Sequence, residues 1–159
     1  MERKDKISYY LDIADTVSRR STCLRRQYGA IIVSHDEILA TGYNGAPRGR
    51  KNCHDLRRCY REQLQIPSGE RYELCRSVHA EANAIISAAR QRMLGATLYL
   101  SGRMPPGGAP VADTSPCEMC KRLIINAGIT EVVCKTGEGT YTVTNVRDWI
   151  WGDDSLPDM

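Results

Sequence analysis

Nowhere does the chain carry an apolar run approaching the ~20 residues that a membrane-spanning helix requires. No apolar stretch follows the charged opening Met1-Glu2-Arg3-Lys4-Asp5-Lys6. A secretory leader is therefore not expected, and the reducing cytoplasm is the default compartment. Internal repeats and domain linkers are absent too, and 159 residues suit one compact unit spanning 1–159. A large excess of one charge is also missing. The net charge is only +3, which gives little support to a general nucleic-acid-binding role. Neither a nucleic-acid nor a membrane partner is expected.

What the chain does have is cysteine, with seven in total. In a secreted chain these would suggest disulfides, whereas in a reducing compartment they read as metal ligands or reactive thiols. Hydrophobic residues at 42% and charged residues at 26% give the balance of an ordinary globular protein. The cations are grouped. Arg19, Arg20, Arg25 and Arg26 form one cluster, and Arg48, Arg50, Lys51, Arg57, Arg58 and Arg61 another. Either could hold the phosphate of a small anion, or simply solvate a basic surface.

Ile7, Tyr10, Leu11, Ala14 and Val17 recur at helical spacing and predict a helix over residues 4–20. Two short apolar runs, 30–33 and 38–43, flank the polar Ser34-His35-Asp36-Glu37 and predict a hairpin. Residues 44–76 form a long polar stretch that needs a function or an internal staple to stay ordered. A helix is predicted over 78–94 with Gly95 as its cap, then a strand at 97–100, a Gly/Pro-rich loop over 102–116 and a short helix over 117–127 stopped by Gly128. Strands at 130–134 and 140–146 close the chain, joined by Gly137-Glu138-Gly139 and able to pair as a hairpin. This order predicts an α/β fold with a mixed sheet.

Two motifs sit at predicted helix starts: His79-Ala80-Glu81 and Pro116-Cys117-Glu118-Met119-Cys120. If those helix ends face each other, His79, Cys117 and Cys120 can meet on one ion. Three N/S ligands with an open fourth position describe a catalytic zinc, not a closed structural one. The positive ends of both helices favour the thiolates. Glu81, two residues after the imidazole, would lie beside the metal without binding it. Water at such an ion ionises near pH ~7. Glu81 could then carry protons onto a ring nitrogen and a leaving amine, as base and then as acid. Each motif alone is weak, but their combination across a helix and a strand resembles the signature of nucleobase deaminases.

Further blocks widen the match: Ser21-Thr22-Cys23-Leu24-Arg25-Arg26, Gly29-Ala30, Thr41-Gly42-Tyr43-Asn44-Gly45-Ala46-Pro47, His79 through Ile85, and Ile124 through Ile129. Over roughly residues 5–135 the chain resembles the deoxycytidylate (dCMP) deaminases. The resemblance implies a cytidine-deaminase-like three-layer α/β/α fold with a mixed five-stranded sheet, and conversion of dCMP to dUMP and ammonia. It also implies a homo-oligomer, a hexamer in many members, with dCTP as activator and dTTP as inhibitor. By the same resemblance Asn44 contacts the substrate near the metal, Ala80 offers backbone to the base and Arg26 contacts the nucleotide phosphate. Some members carry a second, structural zinc. Cys23, Cys53, Cys59 and Cys75 would suit a tetrahedral site, with His54 as a substitute for one of them, or could be isolated thiols. Cys134, alone in a strand, reads as core packing.

Two features depart from the usual pattern. Residues 102–115 insert between the strand and Pro116-Cys117, as a lid, an effector-sensing loop or a passive surface loop. No helix is expected directly after the strand at 130–134. Three other functions remain open: a tRNA adenosine deaminase, a free (deoxy)cytidine deaminase, and a non-catalytic zinc-stabilised scaffold. Glu81 speaks against the scaffold, which has no use for a carboxylate poised at the ion.

Overall fold

The computed structural model describes residues 1–105 and 108–153. Pro106 and Gly107 of the insertion, and residues 154–159 of the expected 1–159 unit, lie outside the described residues.

Five strands form one mixed sheet: β1 (Gln27–Ser34), β2 (Glu37–Tyr43), β3 (Thr97–Arg103), β4 (Glu131–Gly137) and β5 (Thr140–Asn145). Their order is β2-β1-β3-β4-β5, parallel between β3 and β4 and antiparallel elsewhere. Strand side chains alternate between faces. In β1, Ile31 and Val33 point to one side, where with Tyr99 and Val133 they pack under helix α1 (Lys6–Ser18) through Tyr10, Leu11 and Ala14. Ala30 and Ile32 point to the other side. There Leu98, Leu100 and Val132 join them against Ala80 and Ala84 of α4 (Ala80–Ile86) and Ile124 of α6 (Glu118–Ala127). A strand buried on both faces reads as a continuous apolar run, which is why residues 30–33 show no polar alternation. The expected three-layer α/β/α arrangement is what the chain adopts. Among the described residues, no helix is long and apolar enough to cross a membrane.

Three expectations are corrected. The helix expected over 78–94 is two helices, α4 and α5 (Arg90–Met93). Ser87 ends the first: its hydroxyl donates to the Asn83 carbonyl at 2.9 Å, its N–H tightens onto Ala84, and Ala89 is extended. Arg90 then donates to the Asn126 carbonyl at 2.8 Å, a contact with α6 that local propensity cannot foresee. The segment 44–76 is not wholly irregular; it holds α2 (Cys53–Leu56), α3 (Tyr60–Gln63) and a 3-10 turn at Tyr72–Leu74. Last, Val146 does not extend the final strand but starts α7 (Val146–Trp151), capped by Asn145, whose Oδ1 accepts from the Arg147 N–H at 3.0 Å. The hairpin of β4 and β5 forms as expected.

Strand β3 runs past its expected end to Arg103, and there the insertion is fastened. Arg103 donates to both Asp15 carboxylate oxygens at 2.6 and 2.7 Å and to the Gly108 carbonyl at 2.8 Å. Ser101 Oγ donates to Asp15 at 3.1 Å, and the Lys135 ammonium lies 4.0 Å away. Burial would raise the Asp15 carboxyl, but Arg103, Lys135 and Ser101 outweigh it and hold the group below its ordinary value. A depressed carboxyl stabilises the fold above its unfolded pKa of ~3.9, and that stability is lost as pH falls through the lower folded value. Asp15→Asn leaves two buried cations short of their anion and should cost ~3–5 kcal/mol near neutral pH. Denaturant titrations from pH 7 to pH 2 should show the gap between variant and parent closing on acidification; a gap constant with pH would refute the assignment.

Candidate metal and nucleotide site

The site forms where α4 and α6 begin. His79 and Cys117 are the N-cap residues of these helices, and neither side chain makes a capping hydrogen bond. Both turn outward and meet: His79 Nδ1 lies 3.4 Å from Cys117 Sγ and 3.5 Å from Cys120 Sγ. All three potential ligand atoms lie within 4.8 Å of one another. Zinc bonds of ~2.3 Å to sulfur and ~2.0–2.1 Å to nitrogen at the tetrahedral angle put N and S ~3.6 Å apart, so the observed spacing fits such an ion. The donor set, two thiols and an imidazole, is the chemistry zinc prefers.

Local structure holds this meeting in place. Gly42 of β2 passes directly under α4, where an added Cβ would lie 2.4 Å from the Ala80 carbonyl oxygen and 2.4 Å from the Ala84 nitrogen. Gly45 and Val78 exchange backbone hydrogen bonds at 3.2 and 2.7 Å, which ties the chain entering His79 to the end of β2. Gly128, at φ 80°, ends α6.

Electrostatics make the site cation-seeking. The bond to Cys120, the opposing cost of burial, and His79 together bring the Cys117 thiol down to about 4. The Cys117 thiolate in turn drives Cys120 strongly up, because two adjacent sulfurs cannot both ionise without a cation between them. Burial opposes the charged form of His79, yet bonding to Cys117 and Cys75 raises it to about 10. Glu81, 5% exposed in the first turn of α4, is raised by its burial and contacts the Cys120 side chain. A carboxyl displaced upward beside a metal-type triad is suited to taking and returning protons.

These groups open onto a cavity of about 510 Å³, a size that accepts a small-molecule ligand. Asn44, Ala80 and Arg26 all line it. Asn44 is pinned: its Oδ1 accepts from the Tyr28 N–H at 2.8 Å and its Nδ2 donates to the Arg26 carbonyl at 2.9 Å. Arg26 reaches the Tyr28 hydroxyl at 3.5 Å and Asp113 at 3.4 Å. Of the two basic clusters, Arg25, Arg26 and Arg61 line the cavity; Arg19, Arg20, Arg48, Arg50, Lys51, Arg57 and Arg58 do not. Arg76, Tyr72 and Met104 line it as well and were missed in the sequence. Arg76 stands three residues before His79, the one local signal that could have marked it.

Cys23, Cys53, Cys59 and Cys75 all line the cavity, but among the described residues only His79, Cys117 and Cys120 bring three ligand atoms within 4.8 Å of one another. Burial and its three cysteine neighbours raise the Cys53 thiol. Cys75 is lowered despite its burial, chiefly by bonding to His79. His54 is exposed and outside the cavity. Cys134 is buried in the core, and burial raises its thiol to about 12.

An imidazole, two thiols and a buried carboxyl thus meet at facing helix starts above a mixed sheet, the arrangement of a candidate zinc centre. The family described as the cytidine and deoxycytidylate deaminase zinc-binding region matches residues 4–136, and the chain belongs to that family. Over 130 residues it is 36% identical to a deoxycytidylate deaminase of Schizosaccharomyces pombe, covering 81% of this chain but 36% of that protein. The chain thus spans about a third of that relative's length. The deoxycytidylate deaminase of Mycobacterium phage D29 is 36% identical over 137 residues, covering 84% of this chain and 96% of the phage protein. Among solved structures, the dCMP deaminase of cyanophage S-TIM5 in complex with dCMP and dUMP superposes with a TM-score of 0.57 at 28% identity, covering 84% and 83% of the two chains.

Gly42→Ala should lift α4 from the sheet, destabilise the fold by ~1–3 kcal/mol and weaken zinc binding. Thermal melting and chelator competition on the purified variant would show both effects. Unchanged zinc affinity would mean the close approach does not set the triad.

Proposed function

We propose that the chain, as one deaminase unit over 1–159, hydrolyses dCMP to dUMP and ammonia and so supplies dUMP for thymidylate synthesis. The carrying observation is the buried Glu81 beside the His79–Cys117–Cys120 triad, at the floor of a nucleotide-sized cavity bordered by arginines. In this reading His79, Cys117 and Cys120 hold a catalytic zinc, which supplies an acidified water and positive charge where the tetrahedral centre develops. Glu81 removes a proton from the attacking water and places it on N3 of the cytosine ring. The remaining water proton follows through Glu81 to the amine at C4, which leaves as ammonia. Ala80 presents its backbone to the base, Asn44 contacts the nucleotide, and Arg26 draws the phosphate toward the rim. Names carried by relatives support this substrate, as does the cyanophage complex with dCMP and dUMP.

The same reading extends to a second, structural zinc on Cys23, Cys53, Cys59 and Cys75, which all line the cavity, where burial and the other three cysteines raise the Cys53 thiol. It extends to dCTP activation and dTTP inhibition, and to a homo-oligomer, a hexamer by resemblance. Exposed Ile86 of α4 and Met119 and Leu123 of α6 offer apolar surface for assembly. The seven free cysteines suit a cytoplasmic location.

Glu81→Gln should keep its zinc and lose ~10²–10⁴-fold in kcat on dCMP; retained turnover would overturn the proton-transfer role. Wild type should prefer dCMP over deoxycytidine, CMP and a tRNA anticodon stem. Preference for deoxycytidine or the tRNA would transfer the assignment to a free-nucleoside or tRNA deaminase. Elemental analysis should find two zinc ions per chain, with one lost on Cys53→Ser; a fully active protein with a single zinc would remove the structural ion.

A further inference from the structure

Metal-binding histidines are ordinarily held in orientation by a partner on the far side of the ring. Here His79 caps its helix without a side-chain bond to it. Besides the Cys75 thiol to which it bonds, the imidazole packs against the Tyr72 ring, edge to face, with centroids 4.9 Å apart and planes at 82°. Tyr72 is itself fixed from two directions. Its hydroxyl accepts the Gly69 N–H at 3.1 Å, and the Arg61 guanidinium lies over its ring, 4.4 Å from the centroid.

Arg61 is the unusual member of this stack. It is 6% exposed, yet among the described residues it makes no ion pair with a carboxylate. Its Nη2 donates to the Pro67 and Glu70 carbonyls at 2.8 and 2.6 Å, while its Nε is the one buried side-chain polar atom among the described residues without a partner. Burying a guanidinium without a carboxylate in direct contact is costly, and its contacts with the ring and the two carbonyls help to keep it there. They tie α3, the 67–70 turn and Tyr72 together, and the Tyr72 ring meets His79.

We propose that Tyr72, clamped by Arg61, is the positioning residue that fixes the His79 imidazole with Nδ1 facing Cys117 and Cys120. The inference rests on the zinc reading of that triad. Without the clamp only the Cys75 bond and the metal would order the imidazole, and affinity would fall.

The test measures zinc by chelator competition and follows the visible spectrum of the cobalt(II)-substituted protein. Tyr72→Leu should lose ~10–100-fold in zinc affinity and shift the cobalt bands. Tyr72→Phe, which keeps the ring edge and the cation–π contact, should behave as wild type in both. Arg61→Met should lie between them. With three histidines in the chain, ¹⁵N-histidine spectra of the zinc-free proteins can be assigned, and the His79 ring resonances should broaden in Arg61→Met. That measurement needs no metal and covers the case in which Tyr72→Leu fails to fold. If His79→Ala binds as much metal as wild type, the zinc reading itself falls. If His79→Ala loses one equivalent while Tyr72→Leu retains wild-type affinity and spectrum, or if Arg61→Met leaves the His79 resonances sharp, the positioning role is overturned.

Discussion

Everything in this molecule is arranged around one crowded meeting: an imidazole nitrogen within 3.4 and 3.5 Å of two sulfurs, at the start of two different helices. Such an approach is repulsive once both sulfurs are charged, and it is relieved by a proton or a metal ion held among them. The backbone must therefore enforce it. Gly42 lets α4 settle against β2, the Gly45–Val78 pairing delivers His79, and α6 packs Ile124 and Ala127 into the core beneath the sheet. The two helix starts are then fixed by the same apolar burial that stabilises the fold, so site geometry and stability are coupled.

The charge arrangement grades from the floor of the cavity to its rim. At the floor, burial raises the Glu81 carboxyl and leaves it able to exchange protons. At the rim, Arg25 pairs with Glu62 at 3.2 Å and Arg26 with Asp113 at 3.4 Å, half-solvated contacts that an incoming anion can replace at little cost. On the opposite face of the sheet, the Asp15–Arg103 pair has a different task. It anchors the end of β3 and, through the Gly108 carbonyl, the insertion whose Met104 and Pro105 form part of the cavity wall. A segment that reads in sequence as a lid, an effector-sensing loop or a passive loop is thus tied to the core and reaches the site.

The apolar runs and motif spacings were sufficient for the sheet, the first helix, the β4–β5 hairpin and the three candidate ligands. Both-face burial made residues 30–33 stand out, and Gly128 marked the end of α6 through its left-handed backbone. Boundaries failed where side chains competed with the backbone. Ser87 and Arg90 split one expected helix into two, and Asn145 turned a strand end into α7. Arg76, Tyr72 and Met104 gave no periodic or motif signal, because a cavity wall draws residues from segments far apart in the chain.

The local code therefore decided which residues could do chemistry: His-x-Glu and Pro-Cys-x-x-Cys at helix starts, and a glycine wherever two backbones must touch. Tertiary structure decided which of the many cations and cysteines share the site. That choice depends on three-dimensional distance, which no window of neighbouring residues encodes. Arg61 shows the difference most clearly: one arginine among many by composition, it is singled out only by its burial against Tyr72 and by the absence of a carboxylate ion pair among the described residues.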